Sequence, residues 1–137
     1  IVVTGATGVL GNSWVEALAE CGAKVAIISS SLEKAEKKAA EVVSNGKIAI
    51  GVEANVLIKE SLKKAHEIIL EKLGPCDILI NGAGGNNPKG TTTKEYLYAE
   101  DLLEDNKDLI TFFDLDIQGI TSVFELNFIG TLLVSQE

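Results

Sequence analysis

Three glycines, Gly5, Gly8 and Gly11, stand three residues apart in Thr4-Gly5-Ala6-Thr7-Gly8-Val9-Leu10-Gly11. An apolar run, Ile1-Val2-Val3, comes just before them, and a helical pattern follows. A strand that feeds a glycine turn and then a helix start presents free main-chain N–H groups and the positive end of a helix dipole. That is the chemistry that holds a pyrophosphate. In such a loop the first glycine allows the tight turn. The second lets the backbone approach the ligand, and the third lets helix pack closely on strand. Thr4, Thr7, Val9 and Leu10 complete the loop and are counted with it as cofactor-holding residues. Glycines alone are a weak signal, and it is the strand–turn–helix setting that makes this one specific.

Three further clusters fall where strands should end. Ser29-Ser30-Ser31 closes the second apolar run. An acid there would bond ribose hydroxyls and select NAD. Here there is none, and hydroxyls on Ser29 and Ser30, with Lys34 one turn on, can accept a 2′-phosphate. The expected cofactor is therefore NAD(P), with a modest lean to NADP. Asn55-Val56 follows the third run and Asn81-Gly82-Ala83-Gly84 the fourth. The carboxyl ends of parallel strands are where open α/β sheets bind ligands.

Elements must bring these clusters together. Apolar runs at 1–3, 23–28, 47–52 and 76–81 read as strands, continuous rather than alternating, as in a parallel sheet covered on both faces. Helical periodicity fills 11–21, 32–44 and 59–73, and Gly22, Asn45-Gly46 and Gly74-Pro75 supply the stops. Ser30 precedes Glu33 by three residues, a capping-box pattern. Alternating strands and helices imply βαβ units and an α/β fold: a Rossmann-like, doubly wound parallel sheet in the order 3-2-1-4, with helices on both faces. The rhythm then changes. Residues 86–116 read as a long polar loop with one short helix near 100–107, and a last helix runs from 117 to 136.

The chain has 137 residues, 46% of them apolar and 23% charged, which suits one domain with a real core. A net charge of −8 argues against nucleic acid or an anionic membrane surface as partner. Cys21 and Cys76 lack ligand spacing and read as reduced, half-buried thiols, and His66 is the only histidine. No metal site is expected. No apolar run reads as membrane-spanning and no basic leader is visible, so a cytoplasmic location is expected. Because residue 1 already lies in a core-like strand, further chain is expected before it.

Taken together, Thr4 to Gly11, Asn55-Val56, Asn81 to Gly84 and Asn127 resemble the short-chain dehydrogenase/reductase family. The resemblance implies that the first loop holds the NAD(P) pyrophosphate and that Asn55 and Val56 contact adenine. It implies that residues 81–84 steady the fourth strand beside the cofactor. Asn127, in Glu125-Leu126-Asn127-Phe128, matches the family's active-site asparagine, which supports a water in the proton relay. Two departures are visible. The even glycine spacing is frequent among extended-type NAD-dependent sugar epimerases and dehydratases, and Asn55 stands where the family often has Asp.

A narrower similarity is to the D-mannonate oxidoreductase subgroup, which interconverts D-fructuronate and D-mannonate. Residues 74–93, 111–116 and 124–133 carry it. It implies a sugar-acid substrate met by Asn86, Asn87 and Lys89, amides for hydroxyls and an ammonium for the carboxylate. The family also needs a Ser and a Tyr followed four residues later by Lys. Tyr96 is followed by Glu100 and Tyr98 by Leu102, so neither fits. The chain is thus expected to be one NAD(P)-binding domain, 1–137, stopping before the catalytic segment. An apolar strand 76–81 at a sheet edge and the nearly encircling apolar residues of the last helix fit that expectation. The resemblance further implies homo-oligomer contacts along residues 117–136. Two rivals stand beside this reading: an extended-type epimerase or dehydratase, against which the Asn81–Gly84 turn counts, and a non-catalytic dinucleotide-binding module, should the protein end near Glu137.

Overall fold

The computed structural model describes residues 1–103 and 108–137. Strands β1 (Val2–Thr4), β2 (Val25–Ser29), β3 (Ala49–Glu53) and β4 (Leu79–Asn81) alternate with helices α1 (Val9–Glu20), α2 (Leu32–Ser44) and α3 (Lys59–Leu73). All pairings are parallel and the order is β3-β2-β1-β4. Val2 faces Ala26 and Leu79, and Val25 faces Ala49. The doubly wound α/β architecture expected from the sequence is therefore present.

Alternation along each strand divides the interior into two cores. Val3, Val25 and Ile27 point to one face, where they meet Val15 of α1 and Ala35, Ala39 and Val42 of α2. Val2, Ala26, Ile28 and Val52 point to the other, against Leu62, Ala65 and Ile69 of α3 and Val134. Val3 and Ile27 are fully buried, and each such side chain stabilises the fold by about 1.5–3 kcal/mol. Lys38 lies buried between α1 and α2, with its ammonium 2.6 Å from Glu16 and 3.5 Å from Glu41. Both carboxylates are exposed, so the pairs align the helices more than they stabilise them.

Several local expectations shift. The cap of α2 is Ser31, not Ser30: its Oγ accepts from Lys34 N, so the capping pattern is moved by one residue. Cys21 and Cys76 are exposed rather than half-buried, because each sits where a connection leaves an element and no neighbouring element covers it. The strands start one to three residues later than the apolar runs, at Val2, Val25, Ala49 and Leu79. The helix expected near 100–107 is a 3-10 turn, Ala99–Leu102; positions 104–107 of that expectation lie outside the described residues.

The last helix has three parts, α4 (Ile117–Phe124), a π turn (Glu125–Ile129) and α5 (Gly130–Gln136). Together these twenty residues are long and apolar enough to cross a membrane by length and composition. That corrects the expectation that no run reaches that length. In this fold Gly130 and Val134 are buried against the sheet side, and Asn81 Nδ2 of β4 donates to Ser135 Oγ at 3.1 Å.

Candidate cofactor-binding site

All four strands run the same way, so the loops after them meet at one edge of the sheet. They enclose a cleft of about 500 Å³. Its walls include Gly5, Thr7, Gly8, Val9, Leu10 and Gly11 from the first loop, Ser29 and Ser30 from the second, Asn55 and Val56 from the third, and Gly82, Ala83 and Gly84 from the fourth. Ile28, Ala54 and Leu126 also line it, and sequence reasoning missed them. Each adjoins a residue that the sequence marks, Ser29, Asn55 or Asn127, but small or apolar side chains carry no signal of their own.

The glycines are required by close approach. Gly5 has φ +62°, and a Cβ there would fall inside the Gly82 carbonyl. A Cβ at Gly11 would fall inside the Gly5 carbonyl, and one at Gly8 would lie 3.2 Å from that same oxygen. The turn closes with Gly8 N donating to Gly5 O at 3.0 Å. Gly8 is the N-cap of α1 and offers no side-chain acceptor, and the first turn holds no acid. The opening N–H groups of α1 therefore have no intrahelical partner, and they lie where the wall is made of glycine. Neutral and donor-rich, with glycine at its closest approaches, this cradle fits a dinucleotide's pyrophosphate.

Thr4 and Asn81 do not line the cleft; they brace it. Thr4 is buried in β1, and its Oγ1 accepts from Gly82 N at 3.2 Å and Ala83 N at 3.1 Å. The first and fourth loops are thereby locked together. Ser29 is buried, its hydroxyl 3.0 Å from that of Thr7 and accepting from Ser31 N at 3.2 Å, whereas Ser30 is exposed at the rim. A second hollow adjoins at Thr7, walled by Asn12, Lys34 and Lys37 among others. Asn55 turns its Oδ1 toward its own chain, accepting from Leu57 N at 2.9 Å. One lone pair remains for a ligand donor.

Asn127 lies in the π turn. Its Nδ2 donates to Gly85 O and to Val123 O, both at 2.8 Å, and its Oδ1 accepts from Gly85 N at 3.0 Å. The amide pairs with Gly85 as a neighbouring strand would, and a Cβ on Gly84 would fall on its oxygen. In the π turn the Gly130 N–H reaches back to Glu125 O, and the Asn127 Nδ2 adds a side-chain bond to the Val123 carbonyl one turn earlier. The asparagine thus joins the bulged helix to the glycines at the cleft mouth.

The residues expected to meet substrate lie farther along. Asn86, Asn87 and Lys89 form a turn against α4, and only Asn87 is part-buried. Beyond it the segment is folded on itself. The Lys94 ammonium, followed by the Tyr98 N–H, bonds Asp101 and holds its carboxyl below the usual range. The Thr111 hydroxyl and then its N–H do the same for Asp114. Among the described residues no cluster of His, Cys, Asp and Glu is placed to hold a metal.

Comparison with known proteins fits this geometry. A family model described as short chain dehydrogenase matches residues 1–137. An uncharacterized oxidoreductase of Haemophilus influenzae is 45% identical over 136 residues, covering 99% of this chain and 46% of the relative. The uncharacterized oxidoreductase UxuB of Bacillus subtilis is 41% identical, covering 98% and 46%. A crystal structure of a provisionally named D-mannonate oxidoreductase from Haemophilus influenzae, with bound NAD, superimposes with a TM-score of 0.89 at 43% identity, covering 98% of this chain and 47% of that one. The chain spans about half the length of the proteins it matches.

Proposed function

The chain belongs to the short-chain dehydrogenase family, and from that premise we propose that it is the cofactor-binding half of an NAD(P)-dependent oxidoreductase acting on a hydroxy or keto sugar acid such as D-mannonate or D-fructuronate. The observation that carries the reading is the glycine-walled cleft, where the backbone leaves no room for a side chain at Gly5 and Gly11 and only a tight fit at Gly8. The sugar-acid class draws support from the NAD-bound structural neighbour and from a loop that ends in amides and a lysine.

In this reading the start of α1 binds the pyrophosphate. Ser29 and Ser30 face the adenosine ribose, and Asn55 and Val56 flank the base. Gly82 to Gly84 form the floor beneath the nicotinamide, and Asn127 keeps that floor fixed to the helix. When bound, the nicotinamide supplies or accepts hydride. Proton transfer falls to a Tyr-Lys pair that this segment does not contain. With no carboxylate among the described residues of the cleft wall, NADP is admitted beside NAD. A second copy of the protein covers the exposed apolar side of Ile117–Gln136.

Stopped-flow assay of the full-length protein with NADH, NADPH and D-fructuronate tests the reading. Stoichiometric oxidation of reduced cofactor on adding the keto acid is expected. Tight cofactor binding without turnover on any keto or hydroxy sugar acid would sink the substrate assignment. Absence of cofactor binding would sink the whole reading.

A further inference from the structure

The turn after Gly85 is more tightly built than its exposure suggests. Gly90 and Gly119 bring two backbones together. A Cβ on Gly90 would lie 2.9 Å from the Gly119 carbonyl carbon, and one on Gly119 would lie 2.6 Å from Gly90 N. Neither position accepts a side chain unless main chain moves. Hydrogen bonds add to this junction. Asn87 Nδ2 donates to Ser122 Oγ at 2.8 Å, and that hydroxyl donates on to Gly119 O at 2.8 Å. Asp116 N donates to Lys89 O at 3.0 Å.

The polar ends of the turn can be followed one by one. Asn87 Oδ1 accepts from Lys89 N at 3.0 Å, so both ends of that amide are engaged. Asn86 Oδ1 accepts from Asn87 N at 2.9 Å and from Thr91 Oγ1 at 2.8 Å. The Thr91 hydroxyl is also within 2.9 Å of Asn87 O. What remains is the Asn86 Nδ2 and the Lys89 Nζ, which have no acceptor among the described residues. Both are donors, one is cationic, and both residues are exposed. A turn that offers an amide NH₂ and an ammonium, with both of its amide oxygens already engaged, complements an anionic group rich in oxygen.

We infer that residues 86–91 form a donor platform for the carboxylate end of the substrate. Asn86 and Lys89 make the contacts, Thr91 orients the Asn86 amide, and Asn87, Ser122, Gly90 and Gly119 are positioning residues that seat the turn against α4. The inference rests on the sugar-acid reading above. It changes the role expected for Asn87 from contact to brace.

Steady-state kinetics of the full-length protein on D-fructuronate and on neutral D-fructose provide the test, with NADH affinity measured by fluorescence as a check on folding. Wild type should favour the acid. Lys89→Ala should raise KM for the acid by roughly tenfold to a hundredfold, the size of a lost charge-assisted bond. The preference for the acid over fructose should fall by the same factor while NADH affinity stays unchanged, and Lys89→Arg should restore much of the preference. Asn87→Ala and Ser122→Ala should each raise the acid's KM, and the double variant should do no more than either alone. Gly119→Ala should behave like them; if it does not fold, the Asn87 and Ser122 pair still decides. Retention of the acid preference in Lys89→Ala, or additive effects of Asn87→Ala and Ser122→Ala, overturns the platform while leaving the proposed substrate intact. A wild type with no preference for the acid overturns both.

Discussion

At the scale of single residues, glycines that look alike do different work. Gly5 combines φ +62° with contact against Gly82, while Gly22 has φ +84° and open space around it. Gly22→Ala should therefore cost only about 1–2 kcal/mol of backbone strain and leave NADH affinity alone. Gly5→Ala must also push apart the loops after β1 and β4. NADH affinity should fall by more than tenfold, read by titration of cofactor fluorescence; equal behaviour of the two variants would separate the turn from binding. Ser30 gives a second contrast. It is exposed at the cleft rim with no acid nearby along the wall. Ser30→Asp should weaken NADPH by at least about tenfold while sparing NADH, because a carboxylate there repels a 2′-phosphate. A uniform loss of both cofactors would move the ribose end elsewhere. The glycines were legible in sequence because close backbone approach leaves only one residue type possible. Asn87 was not, since an amide that braces a turn and an amide that greets a ligand are the same letters.

At the scale of elements, the segment beyond the donor turn depends on two carboxylates. Asp101 and Asp114 have lowered pKa values in the folded chain, the first through Lys94 and Tyr98 and the second through Thr111. A depressed folded pKa means that the stabilisation is complete above the unfolded value, near 3.9, and is lost as pH falls through the folded value. Order in this segment should therefore persist at neutral pH and fail below about pH 4. Amide exchange at Tyr98 and Thr111, whose N–H groups donate to these carboxylates, should accelerate there relative to β2. Parallel acceleration at both places would mean global unfolding instead. The βαβ rhythm was legible because unbroken apolar strands and amphipathic helices leave little choice. The π turn was not. The apolar residues that nearly encircle the last helix read as a helix short of partners. Part of that breadth comes from the extra residue at Glu125–Ile129, which turns everything after it by about 100° relative to a regular helix.

At the scale of the whole molecule, Phe124, Phe128 and Leu132 are spaced by four and are 65%, 63% and 44% exposed. Burying such a stripe against a second copy removes it from water. Phe124→Asp with Phe128→Asp in the full-length protein should lower the sedimentation mass without loss of the far-ultraviolet signal of the fold; an unchanged mass would place the subunit contact elsewhere. The sheet order carries one more consequence. β1 sits between β2 and β4, so Val2 waits for Ala26 on one side and Leu79 on the other. On the ribosome this inner strand is made before both of its partners and completed last, with an interval on the order of seconds between the two. Through that interval one side of Val2 and Val3 is an open apolar edge on the nascent polypeptide, available to any other strand that passes. The strand that leads into the glycine turn is thus, early in its life, a stretch that a chaperone would shield.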